Sequence, residues 1–356
     1  MLGLSGALVV LLAAEGLGFI MMKPSRWDSA RFQIDGEKYV ESHPVLGFRP
    51  RSDAQVRVRK TGSEGVIFDC VYTLDHLHRR VSPVAPGPDR SRFALFLGCS
   101  FTFGEGVNDA ETLPAQFAAA APEFMPYNYG CGGWGPQNMY LQVQQPEFRA
   151  QVAQSSGIAI YTFIAHHVER AAGNLRLIGA WDKPLPDFTL DNGLLTHHGL
   201  FDESRPLRCR LGKLLNESHF LTWRKVDYPT HRRDKDLELV AALCAATAQH
   251  LEQLFTKIDF YVLLYPRTTE GDRLKPLLER AGVRYLDYAA MFEPRRSLGP
   301  DPYNLYDGHP TPLGYQLVAE RLAKDLNPNP LPDPFAENIL PGLTQTDETI
   351  SNLPHK

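Results

Sequence analysis

The sequence predicts an α/β fold built on a parallel sheet. Short apolar runs alternate with longer stretches of helical period between residues 93 and 325, the connections between them are brief, and turn residues punctuate the ends of the runs. Such alternation implies βαβ units with right-handed crossovers. Strands are expected at 93 to 97 (FALFL), 125 to 129 (MPYNY), 157 to 164 (GIAIYTFI), 259 to 265 (DFYVLLY) and 283 to 287 (VRYLD). Helices are expected at 111 to 120, 136 to 153, 236 to 257, 272 to 281 and 312 to 325. Thr311 and Pro312 suit the cap and first turn of the last one.

Between 170 and 235 the rhythm breaks, and PDFTLDNGLLTHHGLF places Asn192-Gly193 between alternating apolar residues. That is a strong signal for a hairpin. The insertion could wall a cleft, with Trp181, Phe188, His197, His198 and Trp223 as candidate lining residues, although aromatic residues there more often serve packing. Upstream, residues 38 to 85 carry VIFDCVYTLDHLHRRVSP, whose period-two alternation suggests a small β module, and PVAPGPDRSR (83 to 92) is a Pro/Gly-rich linker into the first core strand. Beyond 327 the chain is Pro-rich and polar and reads as a tail.

Residues 2 to 22 are almost all apolar and reach the roughly 20 residues that a membrane-crossing helix needs. They read as a membrane anchor or an uncleaved signal. Glu15 opposes insertion, and Lys23, Arg26 and Arg31 follow the run, which opposes an orientation that exports the body. The division expected is therefore an anchor at 1–23, a β module and linker at 24–90, a catalytic domain at 91–326 with the insertion at about 170–235, and a tail at 327–356.

With 356 residues, 43% of them hydrophobic, the chain can bury a full α/β core and carry an extra module. A formal net charge of −4 gives no electrostatic reason to expect a nucleic-acid partner, and the short basic stretch THRRDK at 230 to 235 reads as a solvated loop. The five cysteines form no CxxC pair and no His/Cys cluster of metal-ligand spacing, so neither a metal nor another cofactor is implied. In an oxidising compartment Cys209 and Cys244 could pair, which spacing does not decide.

Two short stretches carry the chemistry. LFLGCSFTFGEGVN (95 to 108) is an apolar run that stops at Gly-Cys-Ser, which ends a buried strand and sets the Ser100 hydroxyl at the carboxyl edge of the sheet. YDGHPTPLGY (306 to 315) holds Asp307 and His309 in a polar loop before the last helix. A serine, a base and a carboxylate of this kind suit nucleophilic catalysis. Taken alone, a strand followed by Gly-Cys-Ser is an ordinary turn, and the distal Asp-x-His-Pro is what gives it chemical meaning. Cys99 precedes the turn and should point back into the core, which argues against its serving as the nucleophile.

In these stretches the chain resembles the SGNH/GDSL hydrolases, serine esterases and acyl-group enzymes on a flavodoxin-like, three-layer fold. GCSFTFGEGV matches the family's Gly-Asp-Ser block with Cys99 in place of aspartate. NYGCGGWGPQ (128 to 137) matches the Asn-x-Gly-x-x-Gly block, with Gly133 at the position that lends a backbone N–H to the oxyanion hole. The family's Gly-x-Asn-Asp block falls on IAIYTFIAHHVER, so His166 or His167 stands where an asparagine donor is usual, and Asp307-x-His309 is one residue shorter than the family's Asp-x-x-His. The resemblance implies a catalytic set of Ser100, His309 and Asp307, and an oxyanion hole drawn from Ser100, Gly133 and His166 or His167.

It also implies an enzyme acting on an ester, for which family habit alone points to an O-acyl group on a carbohydrate, with the catalytic body membrane-anchored and periplasmic or extracellular. Two other outcomes stay open at this point: an O-acyltransferase acting on a glycan with the same triad, and a non-catalytic glycan-binding or assembly protein on the same fold.

Overall fold

The structure, a computed structural model, describes residues 2–21, 31–35, 38–62, 65–86, 89–180, 184–224, 232–292, 301–304 and 308–326. The chain starts with helix α1 (Leu2–Met21) and five antiparallel strands, β1 (Arg31–Asp35), β2 (Val40–His43), β3 (Gly47–Pro50), β4 (Ala54–Gly62) and β5 (Gly65–Leu74). Strands β1, β4 and β5 form one sheet, and β2 and β3 pair as a hairpin. In β5 buried and half-buried positions alternate, and Phe68, Cys70, Tyr72 and Leu74 face a small core with Val56 and Val58 of β4. Such alternation is the period-two pattern of a sheet with one buried face.

The next elements are β6 (Arg92–Gly98), α2 (Ser100–Phe103), α3 (Leu113–Ala120), β7 (Phe124–Gly130), α4 (Pro136–Val143), β8 (Ser156–Phe163), α5 (His166–Ala172) and α6 (Leu175–Ala180). The insertion supplies β9 (Pro186–Asp191), β10 (Leu194–Leu200), α7 (Phe201–Ser204), α8 (Pro206–Asn216) and α9 (His219–Trp223). The core closes with α10 (Asp234–Leu254), β11 (Lys257–Leu264), α11 (Gly271–Arg280), β12 (Arg284–Asp287) and α12 (Pro312–Leu326).

Five of these strands form a parallel sheet in the order β12-β11-β8-β6-β7. Numbered within the sheet this is 2-1-3-4-5, the flavodoxin-like order, whose direction reverses between β6 and β8. Both faces are covered. Phe93, Leu95 and Leu97 of β6 join a cluster with Met139 of α4, Leu243 of α10 and Leu274 of α11, whereas Ala94 and Phe96 join Phe117 of α3 and Val318 of α12 on the other side. Alternate residues of one strand thus feed two layers, and each such buried large side chain contributes roughly 1.5–3 kcal/mol.

Every strand expected in the core is present, its ends within two residues of the expected ones. The hairpin is also present, with Asn192 at φ 52° and Gly193 at φ 80°, the left-handed pair that a two-residue type I′ turn requires. At the last helix Thr311 Oγ1 accepts the Gly314 N–H at 3.3 Å, with Pro312 at the first helical position. One helix differs. The segment expected at 136 to 153 stops at Val143 and resumes as a single tight turn at Arg149–Gln151, because Pro146 lacks an N–H and disfavours helical geometry before it.

The amino terminus also departs from expectation. Among the described residues no helix is long and apolar enough to cross a membrane, so the membrane helix expected at 1–23 is not found. Instead α1 leans on the insertion. Glu15 accepts hydrogen bonds from the Ser218 hydroxyl and from His219 N–H at the start of α9, and a Cβ on Gly18 would meet the Phe220 backbone at 2.4 Å, so only glycine permits this approach. The carboxylate that opposed bilayer insertion is occupied by these donors. All five cysteines are free, which leaves Cys209 and Cys244 unbridged: Cys244 is sealed in the core beside α10 neighbours, and Cys209 donates to the Phe201 carbonyl. Trp181 and residues 327–356 lie outside the described residues.

Gly130, at the end of β7, stands against α2: a Cβ there would lie 2.4 Å from Phe103 N and 2.8 Å from Thr102 C. Gly130→Ala is expected to push α2 off the sheet edge and lower stability by about 1–3 kcal/mol, measured as a shift in the urea midpoint at unchanged m-value.

Candidate active site

Ser100 emerges from β6 through a turn that glycine makes feasible. Gly98 has φ 147°, and a Cβ there would meet Thr102 Oγ1 at 2.5 Å. Cys99 follows in extended conformation as the cap of α2, and its carbonyl accepts from Thr102 N–H and Phe103 N–H. Ser100 is then the first residue of a helix, where backbone N–H groups have no intrahelical acceptor. Its side chain is almost buried, at 5% exposure, while Cys99 beside it is fully enclosed in the hydrophobic cluster. The thiol therefore points inward, as the sequence led us to expect.

His309 arrives from the far end of the chain. Its Nε2 lies 2.8 Å from Ser100 Oγ. The loop that carries it is pinned by its own backbone, through Asn304 N–H to the His309 carbonyl at 2.8 Å and Gly308 N–H to the Asn304 carbonyl at 2.9 Å. It is tied to two other regions, since Tyr303 Oη donates to the Pro266 carbonyl at 2.6 Å and Asn304 Nδ2 to the Ile67 carbonyl of β5 at 3.3 Å. Phe101 lies beside the imidazole, with ring centroids 5.4 Å apart. Asp307 lies outside the described residues.

The glycine-rich loop forms a β-turn in which Trp134 N–H bonds to the Cys131 carbonyl at 3.1 Å and Gly133 takes φ 94°, the left-handed third position of a type II turn. Gly132 is the glycine seen to approach Ser100, since a Cβ on it would stand 3.9 Å from Ser100 Cβ, 3.4 Å from Tyr39 Oη and 3.5 Å from Glu105 Oε2. Trp134 is core, at 3% exposure, and its indole N–H donates to the Phe48 carbonyl at 3.0 Å, fastening the loop to β3.

The two histidines after β8 part company. His166, 64% exposed, lines the cleft and holds Glu169 at 2.9 Å. His167 is fully buried on the opposite side of its helix turn, stacked on Tyr161 with its Nδ1 2.6 Å from the Tyr161 hydroxyl. It therefore does not face the site, because consecutive helical positions point in different directions. Burial, with Arg170 next, pushes His167 well below the usual histidine range.

A cleft of about 760 Å³ opens beside Ser100 and His309, between the ends of β6, β8 and β11. This is the crevice at the strand-order reversal where ligands of open α/β sheets bind. Its walls include Thr268, Thr269, Asn304 and three arginines. Arg267 stands in a left-handed conformation at φ 66°, a strained setting for a residue with a Cβ, with its guanidinium 4.3 Å from the Tyr303 ring centroid and 3.6 Å from Asp301. Arg232 is not the solvated residue expected of the THRRDK stretch, because it bridges Glu169 and Glu270, each at 3.1 Å. Among the described residues, none of the candidates Phe188, His197, His198 and Trp223 is in the cleft walls. Phe188 is buried against Tyr140 and His197, and Trp223 packs on Phe220.

Two residues near Ser100 were missed by sequence reasoning. Glu105, set between Gly104 (φ 88°) and Gly106 (φ 87°), brings Oε2 to 3.6 Å from His309 Nε2. Tyr39, from the segment before β2, stacks on Phe103 at 5.4 Å. Burial, with Glu105 next, pushes its hydroxyl well above the usual tyrosine range, so it stays protonated. The doubled glycine around Glu105 was the available signal, since two left-handed positions fold the chain back toward Ser100. Among the described residues no group of three or more His, Cys, Asp and Glu could hold a metal ion.

No protein-family model and no curated protein matches the chain. Its structural neighbours are GDSL lipolytic proteins and acetylxylan esterases. One is a member of the lipolytic G-D-S-L family from Veillonella parvula, 11% identical, with 65% of this chain and 97% of that chain covered at a TM-score of 0.36. Another is an acetylxylan esterase from Geobacillus stearothermophilus, 12% identical, with 67% and 95% covered at a TM-score of 0.38. A third, a lipolytic G-D-S-L protein from Desulfitobacterium hafniense, is 15% identical, with 65% and 98% covered at 0.35.

His167 yields a pH prediction. Its native pKa lies below its unfolded value, so the unfolded chain takes up a proton that the native chain refuses once pH falls below about 6.5. Stability should be full above that pH and decline as pH drops from about 7 toward 5. Burial lowers His43 and His197 in the same direction, so His167→Gln should reduce the slope of unfolding free energy against pH without abolishing it, as read by denaturant titrations across that window.

Proposed function

We propose that this chain is a serine esterase of SGNH/GDSL type that removes an O-acyl group from a carbohydrate. The observation that carries the reading is the 2.8 Å contact of His309 Nε2 with Ser100 Oγ, made by residues 209 positions apart in sequence and set at the edge of a cleft. A hydroxyl and an imidazole at that distance form a nucleophile and its base.

In this mechanism His309, unprotonated at Nε2, takes the proton of Ser100 Oγ as the oxygen attacks the ester carbonyl. Asp307 is the carboxylate assigned to orient the imidazole and balance its charge. The oxyanion is assigned to the N–H of Ser100 at the start of α2 and that of Gly133, with His166 as the side-chain donor. Each such donor is worth about 2.7–4 kcal/mol of barrier. The protonated Nε2 then gives its proton to the departing alkoxide, the carbon–oxygen bond breaks, and the acyl group remains on Ser100 until water releases it. The cleft walls suit a polyhydroxylated leaving group, because polar side chains, Thr268, Thr269, Asn304 and Asp301 among them, line much of its surface.

A fluorophosphonate probe should label the folded protein, with labelling lost in Ser100→Ala and kept in Cys99→Ala. His309→Gln should lower kcat/KM on an acetyl ester by about 10²–10⁴-fold at nearly unchanged Tm. Failure of the wild-type protein to label would remove the esterase reading and leave a binding protein on this fold.

A further inference from the structure

We propose that Glu105 orients the water that releases the acyl group from Ser100, and so directs the acyl-enzyme to hydrolysis in preference to transfer onto an alcohol. The inference rests on the esterase reading above and assigns a residue that the nucleophile, base and oxyanion donors do not include.

Three observations meet at one point. Glu105 Oε2 and Ser100 Oγ both address the same ring nitrogen, His309 Nε2, at 3.6 Å and 2.8 Å. A separation of 3.6 Å is too long for a direct hydrogen bond, and it is a span that one oxygen placed between the two groups bridges with ordinary hydrogen bonds. The Gly132 position looks onto Ser100 Cβ, Glu105 Oε2 and Tyr39 Oη within 3.9 Å, so the carboxyl and the Ser100 side chain, whose Oγ would carry the acyl group, border the same space. The Glu105 side chain is only 17% exposed and its turn is fixed on both flanks by left-handed glycines, with Gly106 N–H donating to Tyr72 Oη at 2.9 Å. A carboxyl held this way, next to a nucleophile and at the end of a helix it does not cap, has a defined target.

The chemistry follows from counting hydrogens. Water in that gap donates one O–H to Nε2 and the other to Oε2. Its oxygen attacks the acyl carbon, a C–O bond forms, and the first proton passes to Nε2. Collapse of the tetrahedral intermediate breaks the bond to Oγ, which recovers that proton from Nε2. The product leaves as a carboxylic acid carrying the second proton, which it yields to solvent. An alcohol has a single O–H. With that proton on Nε2 it turns alkyl carbon toward Glu105, whose desolvation goes uncompensated.

The test uses the full chain with p-nitrophenyl acetate, with and without added methanol. Active sites are counted by fluorophosphonate labelling. Glu105→Leu, which cannot accept a hydrogen bond, should slow deacylation by about 10-fold or more, beyond any loss in the p-nitrophenol burst, and raise the ratio of methyl acetate to acetate. Glu105→Gln, which keeps an acceptor oxygen without the charge, should fall between the two and serves if the leucine variant does not fold. An unchanged product ratio in both variants, or equal losses in burst and deacylation, would overturn the role. A wild-type protein that neither labels nor shows a burst would instead sink the esterase reading itself, and this inference with it.

Discussion

The buried guanidinium of Arg80 is the tie on which the geometry around Ser100 depends. Its side chain is fully enclosed, and its N–H groups reach Asp109 Oδ1 at 3.0 Å and the carbonyls of Phe103 (3.0 Å), Gly104 (2.5 Å), Val107 (2.7 Å) and Val71 (3.3 Å). A charge removed from water is tolerated only when its donors are satisfied, and here one carboxylate and four carbonyls do so. The carbonyls belong to the end of α2, to the Glu105 turn beyond it and to β5. One cation thus welds α2 to the antiparallel strands, with its face 4.2 Å from the Tyr72 ring centroid.

Because of this weld, the amino-terminal strands pack directly against the Ser100 helix. Phe103 of α2 is a member of their hydrophobic cluster together with Tyr39 and Tyr72. Buried Asn128 works from the other side, donating to the Thr102 carbonyl at 3.1 Å while accepting the Gly130 N–H at 3.0 Å. The short helix that starts at Ser100 is therefore held at its far end by Arg80 and at its flank by Asn128. A single helical turn has little stability of its own, and tertiary contacts supply it.

The parallel sheet provides the complementary constraint. Strand order reverses between the paired neighbours β6 and β8, and the loops that follow β6, β8 and β11 border the cleft. His309 enters from the loop before α12, which packs with α3 on one side of the sheet. Strain at Arg267 and the paired carboxylates around Arg232 show that the cleft walls are fixed by specific contacts, in keeping with a site assembled on a rigid edge.

The sequence by itself determined whatever is local. Period-two and period-3.6 patterns gave the strands and most helices, Asn192-Gly193 gave the hairpin, Thr311-Pro312 gave the last helix start, and Gly-Cys-Ser with the distal His309 gave the two groups that meet at 2.8 Å. Such features depend on backbone preferences within a few residues, so neighbours in the chain encode them. Pro146 shows the limit, since a helical pattern extended through it overran the real end at Val143. The tertiary structure alone decided that His166 faces the cleft while His167 sinks into the core, that Glu15 is taken up by the insertion, that Arg80 is buried, and that Glu105 and Tyr39 stand beside Ser100. Those outcomes depend on which distant segments pack together and on the satisfaction of buried charges, and neither is written in the spacing of residues along one stretch of chain.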